Sequence, residues 1–299
     1  MTPTSPAAPR PDAAASPAAS TAWPREQWPL VAPRVLATDL DGTLLGPGGV
    51  LSERTARALR AAADAGIEVV FVTARPPRWL AGLAGHVAGH GVAICANGAA
   101  VLSVADGRML ADHGMPRALV ESLAARIRGA WGPGATFAAE SASGFASEHG
   151  FRDEHEVPDG TPFAARVEDV LTDSTLKLLV RSASARGAAF SRDLQAVVGD
   201  DALVSDSGAV ELGEIAAPGV TKASTLRTWT HARGIAPDEV WACGDAPNDL
   251  PMLTWAGASF AVANAFDEVR AAASHGCASN ADDGVAAVLE HAATLAASR

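Results

Sequence analysis

The residues of this 299-residue chain best suited to chemistry are carboxylates that close apolar runs. Asp39 ends the run in "VLATDLDGTLL", and Asp41 follows two positions later. Thr73 ends a second run in "FVTAR", and Lys222 stands in "GVTK". The stretch "GDAPNDLPML" then places Asp245, Asn248 and Asp249 within about one turn of one another. Acids gathered from separate segments repel unless a cation neutralises them, and a hard divalent ion such as Mg²⁺ prefers carboxylate and carbonyl oxygens. A cation, an ammonium, a hydroxyl and the backbone amides after Asp39 together describe a cradle for a phosphoryl group. In such a cradle one carboxylate can attack phosphorus and form an aspartyl-phosphate. A second can protonate the leaving oxygen and then activate water.

Elements must bring these pieces together. "RVLATD", "IEVVFVTA" and "GVAICANG" read as strands. Between them lie helical patterns, "SERTARALRAAADAG" with Ser52 as N-cap and Gly66 as stop, and "PPRWLAGLAGHVA". The rhythm returns late: helix "VTKASTLRTWTHARG", strand "EVWACGD", helix "NDLPMLTWAG", strand "SFAVAN", and a closing helix from Gly284. Near-continuous apolar strands alternating with helices predict an α/β fold, a parallel sheet covered on both faces. Ligands of such sheets bind beyond the carboxyl ends of the strands, where all of these signals fall.

The middle of the chain reads differently. After a hairpin in "AAVLSVADGRMLA" come a helix near 116–130 and strands "ATFAAE", "TLKLLVRS" and "AVELGE", with a second helix near 186–198. Strands grouped around two helices predict a small inserted α+β domain. The expected division is a core of 34–112 and 215–299 and an insertion of 113–214. Residues 1–33 hold eight of the 19 prolines and nine alanines without a hydrophobic period. They are expected to be disordered, with Trp23 and Trp28 as the groups able to dock, and they lack the pattern of a secretion signal.

Composition narrows the partners. A net charge of −11 argues against nucleic acid or an anionic membrane surface. No apolar run reaches the ~20 residues of a membrane helix. Cys95, Cys243 and Cys277 are widely spaced in apolar strands and are expected as buried free thiols in a reducing cytosol. Lysine occurs twice, against 21 arginines, so a lysine that persists is one needed as lysine. Lys222 fits that account. Lys177, in the strand "TLKLLV", is expected to face solvent, although its rarity leaves a substrate contact open. His86 and His90 stand at i, i+4, yet glycines surround them and no acid completes a metal site. The acid- and histidine-rich "SEHGFRDEHEV", 147–157, resembles a metal-binding cluster but reads first as a solvated loop and next as a specificity loop facing the site.

As an ordered set these motifs resemble those of the haloacid dehalogenase superfamily phosphatases, in the Cof-like group with a large α/β cap of type IIB. "DLDGTLL" resembles the first motif, Thr73 in "FVTAR" the second, Lys222 in "GVTK" the third and "GDAPNDLPML" the fourth; "ANGAAV" and "ANAFDEV" are similar to further recurrent segments. The resemblance covers residue 34 to the end and implies a Rossmann-like core. It implies Asp39 as nucleophile and metal ligand, and Asp41 as general acid/base that also reaches Mg²⁺. It further implies Gly42, Thr73 and Lys222 at the phosphoryl group, Asp245 on the metal, and Asn248 and Asp249 as orienting groups around it. "TAR" stands where many relatives carry "TGR", a small change. The implied function is Mg²⁺-dependent hydrolysis of a small phosphorylated metabolite in the cytoplasm: a sugar phosphate, nucleotide or cofactor phosphate. A phosphotransferase or sugar phosphomutase would need the same residues. A phospho-acceptor of the receiver type would need neither Asp41 nor the insertion. No motif specifies the substrate or the oligomeric state.

Overall fold

A computed structural model of the protein describes residues 25–80, 91–152, 157–182, 189–205 and 211–298. In chain order the first half of the core holds β1 (Val35–Thr38), α1 (Glu53–Asp64), β2 (Glu68–Val72), β3 (Val92–Cys95), β4 (Ala100–Ser103) and β5 (Met109–Asp112). The cap follows with β6 (Met115–Pro116), α2 (Arg117–Trp131), β7 (Ala135–Ser141), β8 (Gly144–Glu148), β9 (Phe163–Ala164), β10 (Ser174–Thr175), β11 (Lys177–Ser182), α3 (Phe190–Val198), β12 (Leu203–Ser205) and β13 (Gly213–Ala216). The core then resumes with α4 (Lys222–His231), β14 (Val240–Gly244), α5 (Leu250–Trp255), β15 (Ala258–Val262), α6 (Asp267–Ala272), β16 (His275–Cys277) and α7 (Gly284–Ala297).

The core sheet has the order β16-β15-β14-β1-β2-β3-β4-β5. Its strands are parallel from β16 to β3, and β4 and β5 add an antiparallel hairpin. Every residue of β1, β14 and β15 is buried, which requires helices on both faces. Helix α1 shows how the sequence supplies one. The Ser52 hydroxyl accepts from the Thr55 amide at 3.0 Å, and Thr55, Ala58, Leu59 and Ala62 form the buried stripe. Gly66, at φ 79°, turns the chain out of the helix.

Six-residue α6 and three-residue β16 were not legible as elements, because segments this short show no period. Of "PPRWLAGLAGHVA" the structure describes one turn, Pro77–Trp79. Residues 81–90, with His86 and His90, lie outside the described residues.

The cap sheet has the order β12-β13-β11-β7-β8-β9. Its apolar cluster, which includes Met115, Leu123, Ile127, Phe137, Leu178 and Ile215, is separate from that of the core. Strand β13 runs to Ala216, two residues beyond the expected return to the core. The reading of 147–157 as a solvated loop fails at its start. Ser147 and Glu148 end β8 and are buried. Glu148 pairs with Arg128 and accepts from the Phe137 and Val167 amides at 3.0 and 2.9 Å. Residues 153–156 of that stretch lie outside the described residues.

Within 1–33, read as disordered but with Trp28 able to dock, Trp28 is indeed docked and is 4% exposed. Its indole Nε1 donates to the Gly276 carbonyl at 3.2 Å, and its ring meets Phe260 and His291 edge-on at 5.3 and 5.5 Å. An indole that finds both an apolar slot and an acceptor is a strong anchor, whatever the composition around it. Residues 1–24, with Trp23, lie outside the described residues. All three cysteines are buried free thiols, and burial pushes Cys95 and Cys277 up to about 12. No described helix is long and apolar enough to cross a membrane.

Candidate active site

The candidate site residues gather at the carboxyl edge of the core sheet. The Asp39 amide donates to the Cys243 carbonyl at 3.0 Å, extending the β1–β14 ladder by one residue and placing the aspartate just past the strand end. The chain then folds back on itself. Thr43 and Leu45 donate to the Leu40 carbonyl at 3.3 and 2.8 Å, and Leu44 donates to that of Asp39 at 3.3 Å. Gly42 sits at φ 85° in this turn, and Asn264 Nδ2 fixes its carbonyl at 2.8 Å. The turn delivers the Thr43 hydroxyl to Asp245 Oδ1 at 2.8 Å.

Lys222 opens α4, whose first turn is held by a reciprocal cap. The Thr221 hydroxyl accepts from the Ser224 amide, and Ser224 Oγ accepts from the Thr221 amide, both at 2.9 Å. Gly98 lets the loop after β3 approach this helix start, since a Cβ there would overlap the Thr221 carbonyl. The Lys222 ammonium lies between Asp39 Oδ1 at 2.6 Å and Asp249 Oδ1 at 2.7 Å. Asp249 in turn accepts the Asp245 and Ala246 amides at Oδ2, both at 3.1 Å. Carboxylate oxygens of Asp39, Asp245 and Asp249 lie within 4.8 Å of one another, and all three residues are buried.

Burial dominates the electrostatics here. It pushes Asp39 well above the usual carboxylate range; Lys222 opposes that shift, while Asp249 and Asp245 add to it. Burial also works against the charge of Lys222, but Asp249 and Asp39 outweigh it and raise its pKa. With all three carboxylates ionised, the one ammonium leaves two buried negative charges uncompensated. The donor set is all oxygen, and among the described residues the buried Oδ1 of Asn248 has no hydrogen-bond partner. Hard ligands and a deficit of two positive charges fit a divalent cation of the Mg²⁺ type.

The other expected residues are placed around this centre. Thr73 is buried at the end of β2; its amide donates to the Ile94 carbonyl at 2.8 Å and its hydroxyl accepts from the Arg75 amide at 3.0 Å. Asp41 does not join the acid cluster. Both its oxygens are taken by Arg75, Nε to Oδ2 at 2.7 Å and Nη2 to Oδ1 at 2.6 Å. Asn248 donates to Asn97 Oδ1 at 3.2 Å.

Lys177 corrects its expectation outright. It is 3% exposed and reaches across to the core, donating to the Ala74 carbonyl at 2.8 Å and pairing with Glu214 at 2.8 Å. Its neighbour Glu140, also buried, receives the guanidinium of Arg78 at 2.8 Å. Sequence reasoning overlooked Thr43, Arg75, Asn97 and Glu214. Arg75 stood two residues after Thr73 in a motif already singled out, and Asn97 in "ANGAAV" likewise. For Glu214, nothing in the local sequence marked it.

The family model of the haloacid dehalogenase-like hydrolases matches residues 36–289. The phosphoglycolate phosphatase of Halorubrum lacusprofundi is 32% identical over 254 residues, covering 85% of this chain and 95% of that protein. The pyridoxal phosphate phosphatase YbhA of Escherichia coli is 28% identical over 281 residues, covering 85% of this chain and 96% of that protein. A solved structure from Streptococcus mutans, SMU.1108c, has the same fold at a TM-score of 0.74 with 22% identity, covering 87% of this chain and 98% of that one. The chain belongs to the haloacid dehalogenase-like hydrolases, as a Cof-like hydrolase of phosphoric monoesters.

Proposed function

We propose that the protein hydrolyses small phosphorylated metabolites with Mg²⁺, through an aspartyl-phosphate formed on Asp39. The observation that carries this reading is the Lys222 ammonium held between Asp39 and Asp249 at 2.6 and 2.7 Å, inside a buried acid cluster left two charges short. Asp39 and Asp245 would hold the cation, joined by the backbone carbonyl of Asp41, with Asn248 and Asp249 around it. When bound, it supplies positive charge to the phosphoryl oxygens and lets an anionic substrate approach an anionic carboxylate.

The remaining work falls to the chain. Asp39 Oδ attacks phosphorus, and the P–O bond to the leaving group breaks. Asp41 gives the leaving oxygen its proton, then takes one from the water that attacks the aspartyl-phosphate and frees Asp39. Lys222, Thr73 and the turn at Gly42 hold the phosphoryl oxygens. The cap closes over the site and meets the leaving group. The relatives named for phosphoglycolate and pyridoxal phosphate support a small phosphomonoester as the substrate class.

A panel of sugar phosphates, nucleotides, phosphoglycolate and pyridoxal phosphate, assayed for phosphate release with and without Mg²⁺, tests the reading. Turnover of at least one member should depend on Mg²⁺, and an acid quench with radiolabelled substrate should leave phosphate on the Asp39 peptide. Undiminished turnover in excess chelator, or full activity in Asp39→Asn, would sink it.

A further inference from the structure

A line of polar side chains, buried as far as its half-buried last member Asn248, runs from the cap to the core loops, and the proposed chemistry uses only that last member. Lys177 on β11 spans the junction, donating to the carbonyl of Ala74, between Thr73 and Arg75, and pairing with Glu214 Oε1, both at 2.8 Å. Glu214, on β13, accepts at Oε2 from Asn97 Nδ2 at 2.9 Å. Asn97, in the core, accepts at Oδ1 from Asn248 Nδ2 at 3.2 Å. The line ends at Asn248 Oδ1, a buried atom with no hydrogen-bond partner among the described residues.

Its direction is fixed by chemistry. An isolated primary amide has two orientations, but an ionised carboxylate only accepts. Glu214 therefore turns the NH₂ of Asn97 toward itself, which turns the oxygen of Asn97 toward Asn248. That in turn claims the NH₂ of Asn248 and leaves its Oδ1 free to accept. The backbone is bent to the purpose: Ala96 and Asn97 are both left-handed, at φ 51° and 56°. Successive non-glycine residues in that region persist where the surroundings over-determine them, commonly at functional sites.

We infer that Lys177, Glu214 and Asn97 are positioning residues through which the seating of the cap on the core sets the amide of Asn248. With the cap docked, Asn248 presents an oxygen to a donor such as a water in the acidic pocket. With the cap lifted, Glu214 leaves Asn97 and the amide loses its fixed sense. The cap thereby reports its position to the cation pocket as well as covering it. The inference rests on the reading of the acid cluster as a Mg²⁺ site.

The test moves the carboxylate one station along the line. Glu214→Gln can donate as well as accept, so both asparagines lose their fixed sense. Asn97→Asp sets two carboxylates face to face. Combined, the two changes restore the order, because the glutamine donates to the new carboxylate and that carboxylate accepts from Asn248. Mg²⁺ affinity is read by calorimetry on substrate-free protein, and kcat and KM on the best substrate. Groups acting behind the ligands of a metal commonly cost about 10–100-fold. Each single variant should weaken Mg²⁺ binding about tenfold and lower kcat more than it raises KM. The double variant should recover both to within about twofold of wild type. Single variants that bind Mg²⁺ as wild type does, with unchanged kcat, overturn the relay. So does a double variant no better than Glu214→Gln, which decides the matter even if Asn97→Asp alone does not fold. Wild-type protein that binds no Mg²⁺ overturns both the proposed function and the relay, whereas unchanged variants in a Mg²⁺-binding protein overturn the relay alone.

Discussion

Arg75 grips Asp41 with two parallel hydrogen bonds, Nε to Oδ2 at 2.7 Å and Nη2 to Oδ1 at 2.6 Å. The fork fixes the plane of the carboxylate as well as its place, which a lysine could not do. The pair is partly exposed, with the side chains 21% and 43% accessible. It is therefore an orienting contact more than a source of stability.

Arg75→Ala should accordingly lower kcat with a smaller effect on melting temperature. Misplacing a catalytic group by about 1 Å can cost on the order of 10²-fold, and a loss of about 10–100-fold is expected here. Steady-state kinetics beside a thermal melt would check this. An unchanged kcat would make the pair incidental.

Asp41→Asn should separate the two steps of the proposed mechanism. A nitrophenolate leaves without help, so Asp39 should still be phosphorylated by nitrophenyl phosphate, while hydrolysis loses its base. General acid/base groups contribute ~10²–10⁴-fold, so the intermediate should accumulate. Rapid mixing should show a burst approaching one nitrophenol per site, then slow turnover. An alkyl phosphate should show no burst. Turnover of an alkyl phosphate at the wild-type rate would remove Asp41 from the proton path.

Lys222→Arg should be far from conservative. The ammonium fits between carboxylates at 2.6 and 2.7 Å in a buried site, and a planar guanidinium is too large for that gap. Loss of a preorganised donor costs about 10²–10³-fold in kcat, the range expected here. Wild-type kinetics in this variant would show that the ammonium makes no special fit.

Trp28→Ala tests the anchor of the N-terminal segment. Removing a buried Trp typically costs about 3–5 kcal/mol. The variant should melt well below wild type yet keep its kcat at room temperature, because Trp28 packs on Phe260 and His291 rather than on the site. A melting temperature within a degree of wild type would mean that the docked indole contributes little.

The parallel core was legible because its signals are local. Runs such as "VLATD" and "VWACG" are apolar along their whole length, and the helix start at Ser52 and stop at Gly66 are written in adjacent residues. The site residues were legible for a related reason. Asp39, Thr73 and Asp245 each stand just past a strand end, and a parallel sheet sends such ends to one edge, whereas Lys222 comes in at the start of α4. What tertiary structure alone decided is which charged side chains meet. Lys177 reads as an outward strand residue until the cap folds against Ala74, where a buried acceptor and Glu214 claim it. Trp28 lies in a Pro/Ala-rich segment, and only the slot between Phe260, His291 and Gly276 buries it. Arg75 and Asp41 are separated by α1 and β2, and Asn97 and Glu214 by most of the cap. Sequence patterning records which face of an element is apolar, because burial repeats with the period of the backbone. Pairing of single charges across elements has no period, so it is settled only when the elements pack.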